Sequence, residues 1–163
     1  MRYFESPTSY LVDYTKNETS IFLAGGIQNC TQWQTEMVDL LSSTDLAVLN
    51  PRRKDFPIHD PSAAEAQITW EHEHLWMADL ILFWFPSETL CPIVLFELGF
   101  WLSKHKKLFI GVDPAYQRRQ DVEIQTRLAR ERKYGRSDIQ IVYSISDLAK
   151  QVTDYAWISI CSY

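Results

Sequence analysis

One stretch decides the fold of this chain: Asp79-Leu80-Ile81-Leu82-Phe83-Trp84-Phe85-Pro86. An uninterrupted apolar run of this length is typical of a strand that is buried on both faces, as in parallel sheets covered by helices. Proline ends the run because it cannot donate to the hydrogen-bond ladder of a sheet. The stretch therefore predicts a central strand of an α/β domain.

Shorter apolar runs lie on both sides of this strand and alternate with segments of helical periodicity. The other strands are predicted at Ser20–Ala24, Leu46–Leu49, Lys107–Val112 and Ile139–Val142. The helices are predicted at Thr31–Ser42, Ser62–Met77, from Pro92 onward, at Asp121–Arg132 and at Ser146–Tyr155. Five strands separated by helices imply a five-stranded parallel sheet with right-handed crossovers, and hence a three-layer sandwich of flavodoxin or Rossmann type.

The length of 163 residues and the apolar content of 46% predict one domain, over residues 20–163. Residues 1–19 have two possible interpretations. They form either an N-terminal extension with a role in an oligomer contact or an edge strand at Tyr10 to Tyr14.

The amino-acid composition limits the classes of partner and the cellular compartment that we expect. A net charge of −5 argues against binding to a nucleic acid polymer, which needs a surplus of Lys and Arg. No apolar run reaches the length of a membrane span, so we expect no membrane partner. Three cysteines without C-x-x-C spacing favour a reduced, cytoplasmic setting.

Glu97 is the only carboxylate between Leu90 and Leu102, in an apolar run predicted to be a helix. A helix that is apolar on every side is normally buried, and a buried carboxylate is costly unless it is paired, hydrogen-bonded or neutralised. Glu97 is therefore the leading catalytic candidate. The alternative is a structural glutamate that pairs with a buried cation or reaches water past Gly99.

Ligands of parallel sheets bind beyond the carboxyl ends of the strands, so the loops there carry the next candidates. Gly25, Gly26 and Ile27 follow the first predicted strand, where they form either a ligand-binding wall or a plain tight turn. Asn50 and Arg52 follow the second, where they are either ligand contacts or part of a solvated loop.

The helix before the central strand places Gln67, Trp70, Glu71 and His74 on one side, at spacings of three and four residues. His72 and His74 diverge on a helix and lack the spacing of a zinc site, so we expect no metal and no other cofactor. If Glu71 and Glu97 face one pocket, the pair suits glycosyl chemistry, because anions stabilise a transition state of oxocarbenium character.

Several motifs resemble those of the nucleoside 2-deoxyribosyltransferase-like family, over Ile21 to Val142. They are Ile21-Phe22-Leu23-Ala24-Gly25-Gly26-Ile27, Asn50-Pro51-Arg52-Arg53, Gln67-Ile68-Thr69-Trp70-Glu71, Ala78-Asp79-Leu80-Ile81-Leu82-Phe83-Trp84 and Phe96-Glu97-Leu98-Gly99. The resemblance implies a flavodoxin-type domain that assembles as a homo-oligomer, either a dimer or a hexamer.

The resemblance also implies roles for individual residues. Glu97 would be the nucleophile that captures C1′ of the deoxyribosyl group, Glu71 would contact the sugar in place of the usual aspartate, and Asp79 would orient the site from its edge. The substrate contacts would be Gly25, Gly26, Ile27, Asn50, Arg52, Gln67, Trp70 and Cys91. Cys91 stands where related transferases carry an aspartate for the 5′-hydroxyl and related nucleotide hydrolases a serine for a 5′-phosphate.

The sequence thus predicts an enzyme of nucleotide salvage that transfers a deoxyribosyl group from a 2′-deoxynucleoside to a free nucleobase through a covalent Glu97 intermediate. One alternative is a 2′-deoxynucleoside 5′-monophosphate hydrolase, in which water intercepts the same intermediate. Another is a nucleotide-binding or sensing module without turnover.

Overall fold

The computed structural model describes residues 1–10, 18–57, 59–132 and 138–161 of the chain. Within them lies one parallel six-stranded sheet. Its strands are β1 (Arg2–Glu5), β2 (Ser20–Gly25), β3 (Ala47–Asn50), β4 (Leu80–Phe85), β5 (Lys107–Val112) and β6 (Ile141–Val142). The helices are α1 (Trp33–Leu40), α2 (Pro61–Met77), α3 (Pro92–Leu102), α4 (Arg119–Glu131) and α5 (Ile145–Cys161). The α/β class and the five expected strands are confirmed.

The sheet has one strand more than predicted. Strand β1 pairs in parallel with β3, from Arg2 opposite Ala47 to Glu5 opposite Asn50. The sequence did not predict this strand because it is short and largely exposed, with a charged residue at each end, and therefore has no apolar run. The expected edge strand at Tyr10 to Tyr14 is not seen at Tyr10, which is buried outside any strand, and its other residues lie outside the described ranges.

The strand order is β1-β3-β2-β4-β5-β6, so the chain moves from β2 to one side and then crosses to β4 on the other. Without β1 this is the flavodoxin order. The reversal places the carboxyl ends of β2 and β4 side by side, with Gly25 opposite Trp84. In such sheets the ligand crevice lies at this point.

Helices cover both faces of the sheet. Alternate residues of β4 point to opposite faces, because side chains alternate along a strand. Ile81, Phe83 and Phe85 join one core with residues of α2, α3 and α4, and Leu80, Leu82 and Trp84 join the other with residues of α1 and α5. The predicted catalytic carboxylates on α2 and α3 therefore lie on the same face of the sheet.

Helix α3 is not fully buried, contrary to the expectation from its composition. Val94, Leu98 and Trp101 face the core, whereas Ile93 and Phe96 are 64% and 75% exposed. No helix of the described residues is long and apolar enough to span a bilayer.

Candidate active site

Two glycines let the β2–α1 loop approach the β4–α3 loop closely. A Cβ on Gly26 would lie 2.7 Å from Cγ of Pro86 and 3.0 Å from both Sγ of Cys91 and Cγ2 of Thr89. A Cβ on Gly25 would lie 2.4 Å from the Trp33 ring and 2.5 Å from the carbonyl oxygen of Trp84. Contacts with the protein itself thus account for both glycines, and the half-buried Ile27 follows them at the rim of this edge.

Arg52 braces the same loop. Its Nη1 donates to the Thr31 carbonyl at 2.6 Å and to Oε1 of Gln34 at 3.1 Å, and its Nη2 donates to the Cys30 carbonyl at 3.1 Å. These N–H groups of the guanidinium already donate to the protein. Arg52 is therefore a weaker candidate for binding a phosphate group than the sequence alone suggested.

Asn50 is likewise engaged by the protein. It is only 5% exposed. Its Nδ2 donates to the hydroxyl of Tyr3 at 2.8 Å, and its Oδ1 accepts from the backbone N–H of Arg52 at 3.0 Å. The Asn50 side chain therefore ties β1 and the following loop to the end of β3.

Glu71 and Gln67 form a hydrogen-bonded pair one turn apart on α2. Nε2 of Gln67 donates to Oε1 of Glu71 at 2.8 Å and to the Pro51 carbonyl at 2.7 Å. Burial raises the pKa of Glu71, and the hydrogen bond from Gln67 opposes that rise because it stabilises the charged carboxylate.

Glu97 lies at about the same height as Glu71 on the neighbouring helix. Helices α2 and α3 follow the parallel strands β3 and β4, so the two helices run in the same direction. They contact each other where the rings of Trp76 and Trp101 pack with their centroids 4.9 Å apart. Glu71 precedes Trp76 by five residues and Glu97 precedes Trp101 by four. Their Cα atoms therefore lie roughly 7.5 Å and 6 Å along the helix axes from those of the two tryptophans, toward the helix N-termini. The charge of Glu71 raises the pKa of Glu97, so the two carboxylates lie near each other on the side of the sheet that α2 and α3 cover.

The electrostatics of Glu97 agree with this placement. Burial and the charge of Glu71 raise the pKa of Glu97 to about 7. In the described part of the chain no residue donates a hydrogen bond to its carboxylate or forms an ion pair with it, and its oxygens are not sealed from solvent. The structural alternative of a buried cation partner thus finds no support among these residues.

Cys91 begins α3 as its N-cap residue, with φ 47°, a left-handed conformation that is uncommon outside glycine. The thiol is buried and donates to the Thr89 carbonyl at 3.5 Å. Burial, with smaller contributions from Cys30 and Glu88, raises its pKa to about 12. Cys91 is therefore a neutral side chain in the wall of the β4–α3 loop.

Two predicted site residues lie elsewhere. Asp79 precedes β4, so it lies at the amino edge of the sheet, where it accepts from the N–H and hydroxyl of Ser20 at 2.7 Å each. Trp70 is buried in the core, where it stacks on His74 at 3.8 Å and donates from Nε1 to the Thr8 carbonyl at 3.0 Å. These contacts of Asp79 and Trp70 involve neither Glu71 nor Glu97.

His74 has a structural explanation. Its Nε2 accepts from the backbone N–H of Tyr10 at 3.1 Å, so its Nδ1 carries the proton and donates to the Trp70 carbonyl at 2.7 Å. Across the described ranges no three His, Cys, Asp or Glu side chains form a metal-binding group.

The sequence analysis missed Ser6, whose hydroxyl donates to Oε1 of Gln67 at 2.8 Å. Nothing in its local sequence marks it, because the contact joins residues 61 positions apart and depends on the pairing of β1 with β3. Only the position of the edge strand reveals it.

Comparison with known proteins agrees with this architecture. A family model described as "Nucleoside 2-deoxyribosyltransferase like" matches residues 18–116, more than half of the chain, and spans β2 to the loop after β5 with both Glu71 and Glu97. The comparison with curated proteins finds no significant match. The chain belongs to the nucleoside 2-deoxyribosyltransferase-like family.

Proposed function

We propose that the protein cleaves the N-glycosidic bond of a 2′-deoxynucleoside and transfers the deoxyribosyl group to a free nucleobase. The observation that carries the proposal is the electrostatically coupled pair of carboxylates on α2 and α3, in which Glu97 has no protein partner among the described residues and Glu71 is held by Gln67. The chemistry needs no metal or redox cofactor.

In the first step, the ionised Glu97 attacks C1′ of the sugar. The C1′–N bond breaks, its electron pair leaves with the base, and the base takes up a proton. In the second step, a nitrogen of the acceptor base attacks C1′, loses its proton, and displaces the Glu97 carboxylate. Two inversions at C1′ give overall retention, and the negative charge of Glu71 stabilises the positive charge that develops on the sugar.

A raised pKa suits a nucleophile of this kind. A carboxylate that binds a proton more tightly is a stronger nucleophile once ionised, and a pKa of about 7 leaves much of Glu97 ionised at neutral pH. The absence of a described cation near it leaves its charge uncompensated and available for the sugar.

A second candidate is hydrolysis of a 2′-deoxynucleoside 5′-monophosphate. The neutral Cys91 thiol favours it, because a thiol neither repels a phosphate nor accepts a hydrogen bond from a 5′-hydroxyl as strongly as an aspartate does. In this case water takes the place of the acceptor base in the second step.

Chromatography of reaction mixtures distinguishes these functions. Purified protein is incubated with deoxyinosine, thymidine or their 5′-monophosphates, with and without adenine, beside Glu97→Gln as the isosteric control. Deoxyadenosine that forms only with adenine and Glu97 supports transfer. Free base released from monophosphates without an acceptor supports hydrolysis. Binding of these ligands without any turnover contradicts both and favours a sensing module.

Family membership also leads us to propose a homo-oligomer. The exposed Ile93 and Phe96 lie near Glu97 on α3, so a second subunit that covers them would also lie beside Glu97. The partners of the protein would then be a second copy of the chain and small molecules, namely a deoxynucleoside or deoxynucleotide and a nucleobase.

A further inference from the structure

We propose that Ser6 and Gln67 are positioning residues that hold Glu71 ionised beside Glu97. Gln67 hydrogen-bonds Glu71 directly, and Ser6 holds the far end of the Gln67 amide. The inference rests on the proposed function for its catalytic meaning. The contacts themselves are independent of any substrate.

The orientation of the Gln67 amide follows from its neighbours. The Pro51 carbonyl can only accept a hydrogen bond, so the NH₂ group of Gln67 must face it, at 2.7 Å. The same nitrogen lies 2.8 Å from Oε1 of Glu71. The opposite orientation would set the amide oxygen against both the carbonyl and the carboxylate, so it is excluded by repulsion.

Ser6 completes the arrangement from outside the segment that the family model matches. Its side chain is 3% exposed, and its backbone N–H donates to the Asn50 carbonyl at 3.0 Å, which continues the pairing of β1 with β3. Its hydroxyl then reaches Oε1 of Gln67 at 2.8 Å. A rigid sheet edge therefore fixes a side chain that contacts a catalytic carboxylate.

The chemical consequence is an order of ionisation. The amide stabilises the charged form of Glu71 against burial, and that charge in turn raises the pKa of Glu97. Other nearby charges are engaged elsewhere: Arg52 binds the β2–α1 loop, and Glu5 accepts from the Tyr3 hydroxyl and the Lys54 N–H. Gln67 thus ensures that Glu71 loses its proton first, and Glu97 is the group that titrates near neutrality.

Removal of the amide should reduce this separation. Without the donor, Glu71 ionises at higher pH, and Glu97, no longer facing a full charge at low pH, ionises at lower pH. The two midpoints should move toward each other by about one pH unit in Gln67→Met, the size expected for loss of one hydrogen bond to a charged group. Ser6→Ala should shift them in the same direction by less.

The test is a pH titration of the full chain labelled with ¹³C at the glutamate side-chain carboxyls, followed by NMR without substrate. Glu71→Gln and Glu97→Gln assign the two signals, and Thr69→Ala, an exposed change on the same helix, is the matched control. Converging midpoints in Gln67→Met and Ser6→Ala, with unchanged midpoints in Thr69→Ala, support the proposal. Midpoints that stay at the wild-type values in both variants overturn it.

The titration keeps this inference separate from the proposed function. Converging midpoints in a protein without turnover would uphold the positioning role and refute the transferase. Normal turnover with unmoved midpoints would do the reverse. If Gln67→Met fails to fold, as judged by circular dichroism, the milder Ser6→Ala decides the result.

Discussion

Glu97 has a raised pKa, and its ionised form lowers the free energy of unfolding. Its pKa of about 7 lies well above its ordinary value of 4.5, because burial and the charge of Glu71 both disfavour the ionised form. A group with a raised pKa in the folded state lowers the free energy of unfolding as pH rises from the unfolded pKa through the folded one. The cost of the charge is therefore fully present above about pH 7 and absent below about pH 4.

Glu97→Gln should consequently remove turnover and yet stabilise the fold at pH 8. The expected gain in the free energy of unfolding is about 2 kcal/mol, less than the full shift implies because the side chain is only half-buried. Urea denaturation at pH 8 and at pH 4 measures it, with little difference between variant and wild type at pH 4. A loss of stability at pH 8 would favour a structural glutamate with a cation partner.

The same pKa predicts a pH dependence of activity. Only the ionised Glu97 can attack C1′, so kcat/KM should rise about tenfold per pH unit below pH 7 and level off above it. Initial rates of base release between pH 5 and pH 9 measure this profile. A rate that is flat from pH 5 to pH 7 would show that Glu97 ionises well below neutrality or is not the nucleophile.

Among the secondary-structure elements, α3 connects the two loops of the switch point to Glu97, the proposed nucleophile. Its N-cap residue Cys91 packs against Gly26, and Glu97 lies in its second turn. A side chain at Gly26 would press on Pro86, Cys91 and Thr89 together, whereas a Cβ at Gly99 of the same helix meets nothing within 4 Å. The two glycines thus offer a matched pair of substitutions.

Gly26→Ala should destabilise the protein by about 1–3 kcal/mol, because the added methyl overpacks the contact between the loops. Gly99→Ala should stabilise it by about 0.5–1 kcal/mol, because alanine is the better helix former and the space is open. Urea denaturation of both variants checks the pair. Equal effects of the two substitutions would mean that the loops do not meet at Gly26.

How far the sequence predicts an element depends on how its side chains are shared between core and solvent. Strand β4 was predicted because both its faces are buried and its sequence is apolar throughout. Strand β1 was not, because an edge strand with exposed residues carries no such run. Helix α3 was expected to be buried because of its composition, but nothing among the described residues covers Ile93 and Phe96.

The candidate site follows the same rule. Glu97 was singled out because it is the only carboxylate in an apolar helical run, whereas Glu71 was singled out by its helical spacing from Gln67 and by the family resemblance; the structure places Gln67 beside Glu71. The role that the resemblance implied for Asp79 conflicts with its position, because a residue at the start of a strand lies at the amino edge of the sheet and ligands bind at the carboxyl edge. Ser6 was out of reach, because its contact depends on a strand pairing that no local pattern encodes.

At the scale of the whole molecule, the exposed apolar side chains of α3 predict self-association. Phe96→Glu should convert an oligomer into monomers, because it places a charge in the proposed interface beside Glu97. Light scattering after size-exclusion chromatography measures the mass. Trp157→Glu, at an exposed aromatic residue on α5, is the control variant at a second exposed apolar position. A monomeric wild type, or dissociation by Trp157→Glu alone, would contradict an interface on α3.

In the proposed mechanism Glu97 becomes covalently bonded to C1′ of a deoxyribosyl group. The most direct measurement is mass spectrometry of the protein quenched in acid during turnover of a deoxynucleoside, followed by peptide mapping. We expect an added deoxyribosyl mass on the peptide that contains Glu97, and no such mass in Glu97→Gln treated in the same way. Turnover that persists in Glu97→Gln, or an adduct on another residue, would contradict it.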